Sequence, residues 1–505
     1  MTKLFCATFD GLDAKTIDVE LSFTKGLPSF SIVGMASLAI SESKERVKSA
    51  LLNSKYNFPP KRITVNLSPS DIKKEGSHFD LVIALLMASQ IKKIEPLEKI
   101  EWFVFGELGL DGSVKENQSL FALILSLANQ NRLTHVMVPQ ESLEKLSHIP
   151  NINFYGISHL DEALTLYHDK ASYTKEVVRE RIQAASINYH DESYFYQSEF
   201  YLDFSDVKGQ EVAKRAAMIS AVGMHNILLE GSPGCGKSMI AKRLHYVLPP
   251  LSQHDLLEIA KLESLDGKTP SFSAIRPFRS PHHSATSASI FGGGSVKARI
   301  GEVGLSHLGV LFFDELPHFS KPVLEALREP LEDKKISISR VNAKIEYKTE
   351  FLFIGAMNPC PCGNLLHESL ECRCSDVEVQ RYKNRLSDPF LDRIDLYVMM
   401  QNVKSHDTSS ISSKEIQERV LEAFMFAKQR GQNCLNGHLN DKELENFCTV
   451  EDDATGVLEQ AISRFALSFR SINKVLKVAR TIADLEQSEM IQKHHLLESL
   501  SYRRR

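Results

Sequence analysis

Apolar and polar residues repeat along this chain with two different periods. In TIDVELSF (17–24) the alternation has a period of two, and ITVNLS (63–68) also steps between apolar and polar positions, which predicts β-strands. FDLVIALLMASQI (79–91) is apolar over a longer span and predicts a helix. Shorter apolar runs at Ile227–Leu229, GVLFF (309–313) and LFIGAM (352–357) predict buried strands. Helix and strand signals alternate over 204–400, as they do in α/β domains. Residues 401–505 are mostly helical, with apolar spacings of three and four in LEQAISRF and SINKVLKVARTIADLE. Between these regions, 169–203 is polar and charged and then rich in aromatic residues (Tyr189, Tyr194, Tyr196, Phe200, Tyr201). It reads as a connector that packs on its neighbours. The expected division is therefore 1–168, 169–203, 204–400 and 401–505, in a multidomain α/β chain.

Composition narrows the class. The chain has 505 residues, enough for roughly three domains. Its 60 basic and 64 acidic residues leave a net charge of −4, which excludes a protein coated in cations; any contact with nucleic acid must be local. The longest apolar run, near Leu81–Ala88, falls short of the roughly 18 residues that a membrane span needs. MTKLFCATFDGL lacks the features of a signal peptide, so the eight cysteines are expected as thiols in a reducing cytoplasm.

The strongest chemical signal is NILLEGSPGCGKS (226–238). A strand leads into Gly231-Ser232-Pro233-Gly234-Cys235-Gly236-Lys237-Ser238, and MIAKRLHYVL continues as a helix, which is the order a phosphate-binding loop requires. The glycines let backbone amides close around phosphate at a helix N-terminus. Lys237 is expected to neutralise the β- and γ-oxygens of ATP, and Ser238 to ligate magnesium. GVLFFDE ends in Asp314, suited to the magnesium shell, and Glu315, suited to polarise the attacking water. LFIGAMNP ends in Asn358, which could position that water. In RLSDPFLDRIDL, Arg393 is a candidate for reaching the γ-phosphate on a neighbouring subunit. In LSFRSINKVLKVAR, Arg470 opens a helix from which it could contact phosphates.

The runs RPFRSPHHSATSASIFGGG, GEVGLSHLGVLFFDELPHF, LEALREPLED and GAMNPCPCG, together with DVKGQ (206–210) and KVARTIADL (477–485), resemble the magnesium-chelatase-like AAA+ ATPases of the ComM/YifB group. The resemblance covers nearly the whole chain. It implies a hexameric ring with nucleotide at subunit interfaces, Arg393 as the finger from the neighbour and Arg470 as a second sensor acting in cis or in trans. It also implies branch migration of DNA in homologous recombination during natural transformation, alongside recombination proteins and away from membranes. The alternative is a chelatase-type ATPase that remodels a protein partner. The implied fold is an AAA+ core with a helix-2 insert and a pre-sensor hairpin, followed by a helical lid. GELGLDGSVKE (106–116) and HVMVPQES (135–142) resemble a Lon-protease-like (ribosomal protein S5-like) α+β domain. Its Ser–Lys dyad is missing: His78 stands where the serine belongs and Phe121 where the lysine belongs, so a binding or assembly domain is expected.

Two features concern DNA and metal. From Gly267 to Gly301 there is no acidic residue, whereas Lys268, Arg276, Arg279, Lys297, Arg299, His282 and His283 are present, with Gly292–Gly294 permitting a mobile loop. ISISRVNAKIEYK (336–348) alternates like a hairpin, with Arg340 and Lys344 near its turn; in a ring such loops face the pore and could hold backbone phosphates. Cys360, Cys362, Cys372 and Cys374 could bind structural zinc as four thiolates, pack as reduced thiols, or carry redox chemistry.

Overall fold

The computed structural model describes residues 3–173, 182–293, 299–339, 344–367, 370–403, 407–408, 410–465 and 467–504. The chain divides into two compact units. One comprises residues 1–183 with 260–272 and 339–345; the other comprises 184–259, 273–338 and 346–505.

The first unit is built on a seven-stranded sheet. Its strands are β1 (Lys3–Asp10), β2 (Asp13–Thr24), β3 (Ser29–Val33), β4 (Arg62–Ser68), β5 (Trp102–Val104), β6 (His135–Pro139) and β7 (Asn153–Ile157), in the order β3-β4-β2-β1-β5-β6-β7. Along β2 Ile17, Val19 and Leu21 are buried and the residues between them are half-buried, so the alternation in the sequence marks a sheet covered on one face. Helices α1 (Leu38–Asn53) and α2 (Asp80–Lys92) pack together, and Leu81–Ser89 of α2 is buried throughout. That burial explains an apolar run with no polar face. Asp80 opens α2 and is fully buried; Arg46 of α1 donates to both of its oxygens, at 2.6 and 3.1 Å.

The second unit begins with a hairpin, β8 (Ala185–Tyr189) and β9 (Glu192–Tyr196), whose second strand also pairs with Leu251–Ser252. Tyr194 is buried there, its ring 5.2 Å from Phe424. The tyrosine-rich connector thus forms part of a three-stranded sheet. Next come α3 (Glu211–Gly223), β10 (Ile227–Gly231), α4 (Lys237–Leu244), β11 (Phe278–Arg279), β12 (Val310–Phe313), α5 (Arg328–Asp333), β13 (Leu352–Met357), α6 (Asp376–Lys383), β14 (Leu396–Met400), α7 (Ser413–Gln429) and α8 (Phe469–Leu485). Strands β11-β12-β13-β10-β14 form a parallel sheet in that order. The three central strands are buried at every position, which is why they read as continuous apolar runs. The core beneath them joins Ile227, Phe312 and Ile354 to Ile219 of α3, Val420 of α7 and Ile482 of α8. Residues 335–339 and 344–348 pair as a two-stranded hairpin. Among the described residues, no helix is long and apolar enough to cross a membrane.

Candidate functional site

In a parallel sheet, ligands collect beyond the carboxyl ends of the strands. Here β10, β12 and β13 are neighbours and end in Gly231, Phe313 and Met357, so the phosphate loop, the acidic pair and Asn358 emerge side by side. Gly234 and Gly236 have φ of 81° and 97°, a backbone region that favours glycine. A Cβ added at Gly234 would meet nothing within 4 Å, so the backbone conformation and not crowding calls for glycine there. Lys237, at the start of α4, is buried and bridges the loop: its Nζ donates to Gly231 O at 2.6 Å, Ser232 O at 3.0 Å and Asn358 Oδ1 at 3.1 Å. Ser238 Oγ donates to Asp314 Oδ2 at 2.8 Å. A hydroxyl and a carboxylate in contact beside a phosphate loop can share one divalent cation. Ser232 Oγ is buried and, among the described residues, has no hydrogen-bond partner.

Glu315 is exposed and has φ of 49°, unusual for a residue with a side chain. Its amide donates to Asp314 Oδ1 at 2.9 Å, which holds the turn. Its Oε2 lies 3.4 Å from His283 Nδ1, a partner that sequence reasoning assigned elsewhere. Gln210 of DVKGQ supports the loop from behind, donating to Cys235 O at 3.1 Å.

Arg393 and Arg470 are brought together, but apart from this cluster. Both pair with Glu332 of α5: Arg393 through Nη2 to Oε2, and Arg470 through Nη1 to Oε1 at 2.8 Å. Among the described residues, neither has a hydrogen bond or ion pair to the phosphate loop, Asp314, Glu315 or Asn358. Glu332 carries no sequence signal of its own and was missed.

The four cysteines converge. Sulfur–sulfur distances are 3.4 Å (Cys360–Cys362), 3.6 Å (Cys360–Cys372) and 3.7 Å (Cys362–Cys372), and all four Sγ atoms lie within 4.8 Å of one another. Tetrahedral zinc with bonds of about 2.3 Å sets its sulfurs about 3.8 Å apart, so the donor set fits zinc. The backbone amides of Asn364 and Arg373 hold the Cys362 thiol below its usual range, while desolvation and the neighbouring thiols push Cys372 and Cys374 up. Gly363, inside the cluster, packs on Pro233 of the phosphate loop, where a Cβ would come within 2.6 Å. A second group, Glu486 with His494 and His495, does not suit a metal. His495 Nδ1 accepts the Gln492 amide at 2.9 Å, so the ring proton sits on Nε2 and is donated to Glu486 at 3.1 Å.

Of the cations expected to meet DNA, Arg276 is corrected. It is buried, and its guanidinium is spent on the carbonyls of Pro249 and Leu308, at 2.7 and 2.5 Å. Arg279 faces Glu302 at 3.9 Å, and Lys268 pairs with Asp266 at 2.8 Å. Gly294, Lys297 and Arg340 lie outside the described residues, as do the side chains of Arg299 and Lys344. In the first unit, His78 is buried against Ala7 O at 2.8 Å, and burial pushes its imidazole down to about 4. Phe121 is buried edge-on to Phe272, with ring centres 5.4 Å apart. Ser77 Oγ donates to the Glu107 carboxylate.

The chain is similar to known proteins over nearly its whole length. Residues 203–408 match the family described as magnesium chelatase, subunit ChlI. Residues 19–142 match subunit ChlI of Mg-chelatase, and 410–503 match the C-terminal part of that subunit. The chain is 35% identical to competence protein ComM of Haemophilus influenzae, over 98% of this chain and 95% of that protein. It is 37% identical to the uncharacterized protein YifB of Salmonella typhimurium and 36% identical to YifB of Escherichia coli, each over 98% of this chain and 95% of the relative.

Proposed function

The chain belongs to the ComM/YifB family of magnesium-chelatase-like AAA+ ATPases, and we propose that it is a ring-forming motor that couples ATP hydrolysis to DNA translocation and branch migration. The setting is homologous recombination during natural transformation, in keeping with the competence protein it resembles. The observation that carries this reading is the division of the nucleotide machinery into two groups within one chain. Lys237, Ser238, Asp314, Glu315 and Asn358 gather beyond the carboxyl ends of the central strands, and Arg393 and Arg470 sit in a separate cleft. A site divided in this way is completed by a second copy, and a head-to-tail repeat of such contacts closes into a ring, here a hexamer.

In that ring Gly231–Lys237 cradle the phosphates, and Lys237 neutralises the β- and γ-oxygens. Ser238 and Asp314 hold magnesium, which when bound screens the charge on the transferred phosphoryl group. Glu315 takes a proton from the attacking water, which Asn358 orients. Arg393 of the neighbour supplies positive charge where negative charge develops, and Arg470 adds a second contact. The Lon-like 1–168 serves binding or assembly without proteolysis, since buried His78 and Phe121 offer neither nucleophile nor base. The connector is 169–203, the AAA+ core 204–400 and the helical lid 401–505.

The cysteine cluster holds structural zinc behind Asn358 and braces the phosphate loop through Gly363. Metal analysis of reduced protein should find one zinc per chain. Replacing Cys362 and Cys374 by Ser should abolish the zinc and lower the melting temperature. Protein free of zinc with unchanged melting would refute the assignment.

DNA is gripped by the cations of the acid-free insert other than Arg276 and by the 336–348 hairpin, on loops that face the pore. Hydrolysis should rise severalfold with a four-way DNA junction. Arg340→Ala with Lys344→Ala should remove that rise and flatten the salt dependence of junction binding. A second reading, remodelling of a protein partner, is favoured by the match to a chelatase subunit, and hydrolysis indifferent to the junction would support it.

A further inference from the structure

Glu332 sits where a carboxylate is poorly placed. It lies in the last turn of α5 (Arg328–Asp333), at the end where the helix dipole favours cations, and Asp333 follows it. Two arginines offset that cost. Arg393 reaches Glu332 from the segment after Phe390, and Arg470 from the first turn of α8, so residues far apart in sequence converge on one carboxylate.

The three line a cleft of about 340 Å³. Lys334, Lys474 and Lys477 add further positive charge to it, against Asp395 and Asp441 besides Glu332 among the described residues that line it. Lys474 is taken by Asp395 at 3.1 Å, and Asp441 by Asn473 at 3.0 Å. Neither Lys334 nor Lys477 has a hydrogen-bond or ion-pair partner for its ammonium among the described residues. Arg393 Nε is buried and also lacks a partner among the described residues. The cleft therefore has more donors than Glu332 can use. A carboxylate offers two oxygens and one charge; a terminal phosphate offers three oxygens and more charge.

We propose that Glu332 is a latch: it fills this cleft as an internal substitute for phosphate, and the terminal phosphate of a nucleoside triphosphate held by a second copy must displace it. This rests on the reading that Arg393 acts on the neighbour's nucleotide. The unpartnered Arg393 Nε and the free lysines give the arriving phosphate what Glu332 leaves unused. A nucleoside diphosphate lacks the group that competes, so the latch ties assembly to the triphosphate.

The test measures ring assembly against protein concentration by sedimentation, with a slowly hydrolysed ATP analogue or with ADP. Glu332→Gln keeps the shape and removes the charge. It should lower the concentration for half-assembly severalfold with the analogue and permit assembly with ADP. Assembly no easier than in the parent overturns the latch. Glu332→Asp keeps the charge and should stay near the parent; a shift as large as that of Gln assigns the effect to packing and also overturns it. In an Arg393→Ala, Arg470→Ala background, Glu332→Gln should do nothing further, and a full-sized shift there overturns it as well. The two readings fail separately. Full hydrolysis by Arg393→Ala alone defeats the trans reading. Lost hydrolysis in that variant, with unmoved assembly in Glu332→Gln, defeats only the latch.

Discussion

Glu315→Gln lowers ATP hydrolysis by roughly 10²–10⁴-fold while nucleotide binding persists. The amide is the same size as the carboxylate and cannot accept the water's proton. The backbone around it is held independently, by the 2.9 Å hydrogen bond from the Glu315 amide to Asp314 Oδ1, so the turn at φ 49° survives the change. Ser238 and Asp314 keep their 2.8 Å contact, and Lys237 keeps its place on the loop carbonyls, so the nucleotide groups are undisturbed. Rings of this variant should accumulate with ATP bound. Single-turnover hydrolysis and filter binding on the same preparation separate the two effects. Hydrolysis at the parent rate would remove Glu315 as the base.

Arg393→Ala lowers hydrolysis further, by about 10³–10⁵-fold, the range for loss of an arginine finger. This expectation contrasts with the arginine's position in its own chain, where among the described residues its guanidinium bonds only Glu332 and the carbonyl of Pro389. A residue used solely for that ion pair, half-exposed on the acidic side, would be worth about 1 kcal/mol or less and would leave the rate nearly untouched. The size of the loss in steady-state hydrolysis therefore decides whether Arg393 acts on a neighbour.

What was legible in the sequence follows from what is local. The three central strands of the parallel sheet are apolar at every position because both faces are covered, and each ends beside a glycine or polar residue that marks the turn. The phosphate loop lies within eight consecutive residues, and the cysteines within 15. The hairpin at 185–196 escaped because each strand is only five residues long and Tyr194 is their one buried position, and its third strand comes from residues 251–252. Arg276 was misjudged because a cation in an acid-free stretch looks available, whereas buried carbonyls 27 and 32 residues away claim it. His283 beside Glu315 and Glu332 between two arginines are polar pairs set by tertiary structure, and single-residue identity does not mark them.

The claim at the centre of this account is that each site is assembled from two copies. It is tested most directly by co-expressing Glu315→Gln and Arg393→Ala chains and measuring hydrolysis by the mixed rings. Each variant alone is inactive, but random mixing sets an intact Glu315 opposite an intact Arg393 at about one interface in four. The account predicts recovery to about a quarter of the parent rate. Mixed rings as inactive as either variant alone would contradict it.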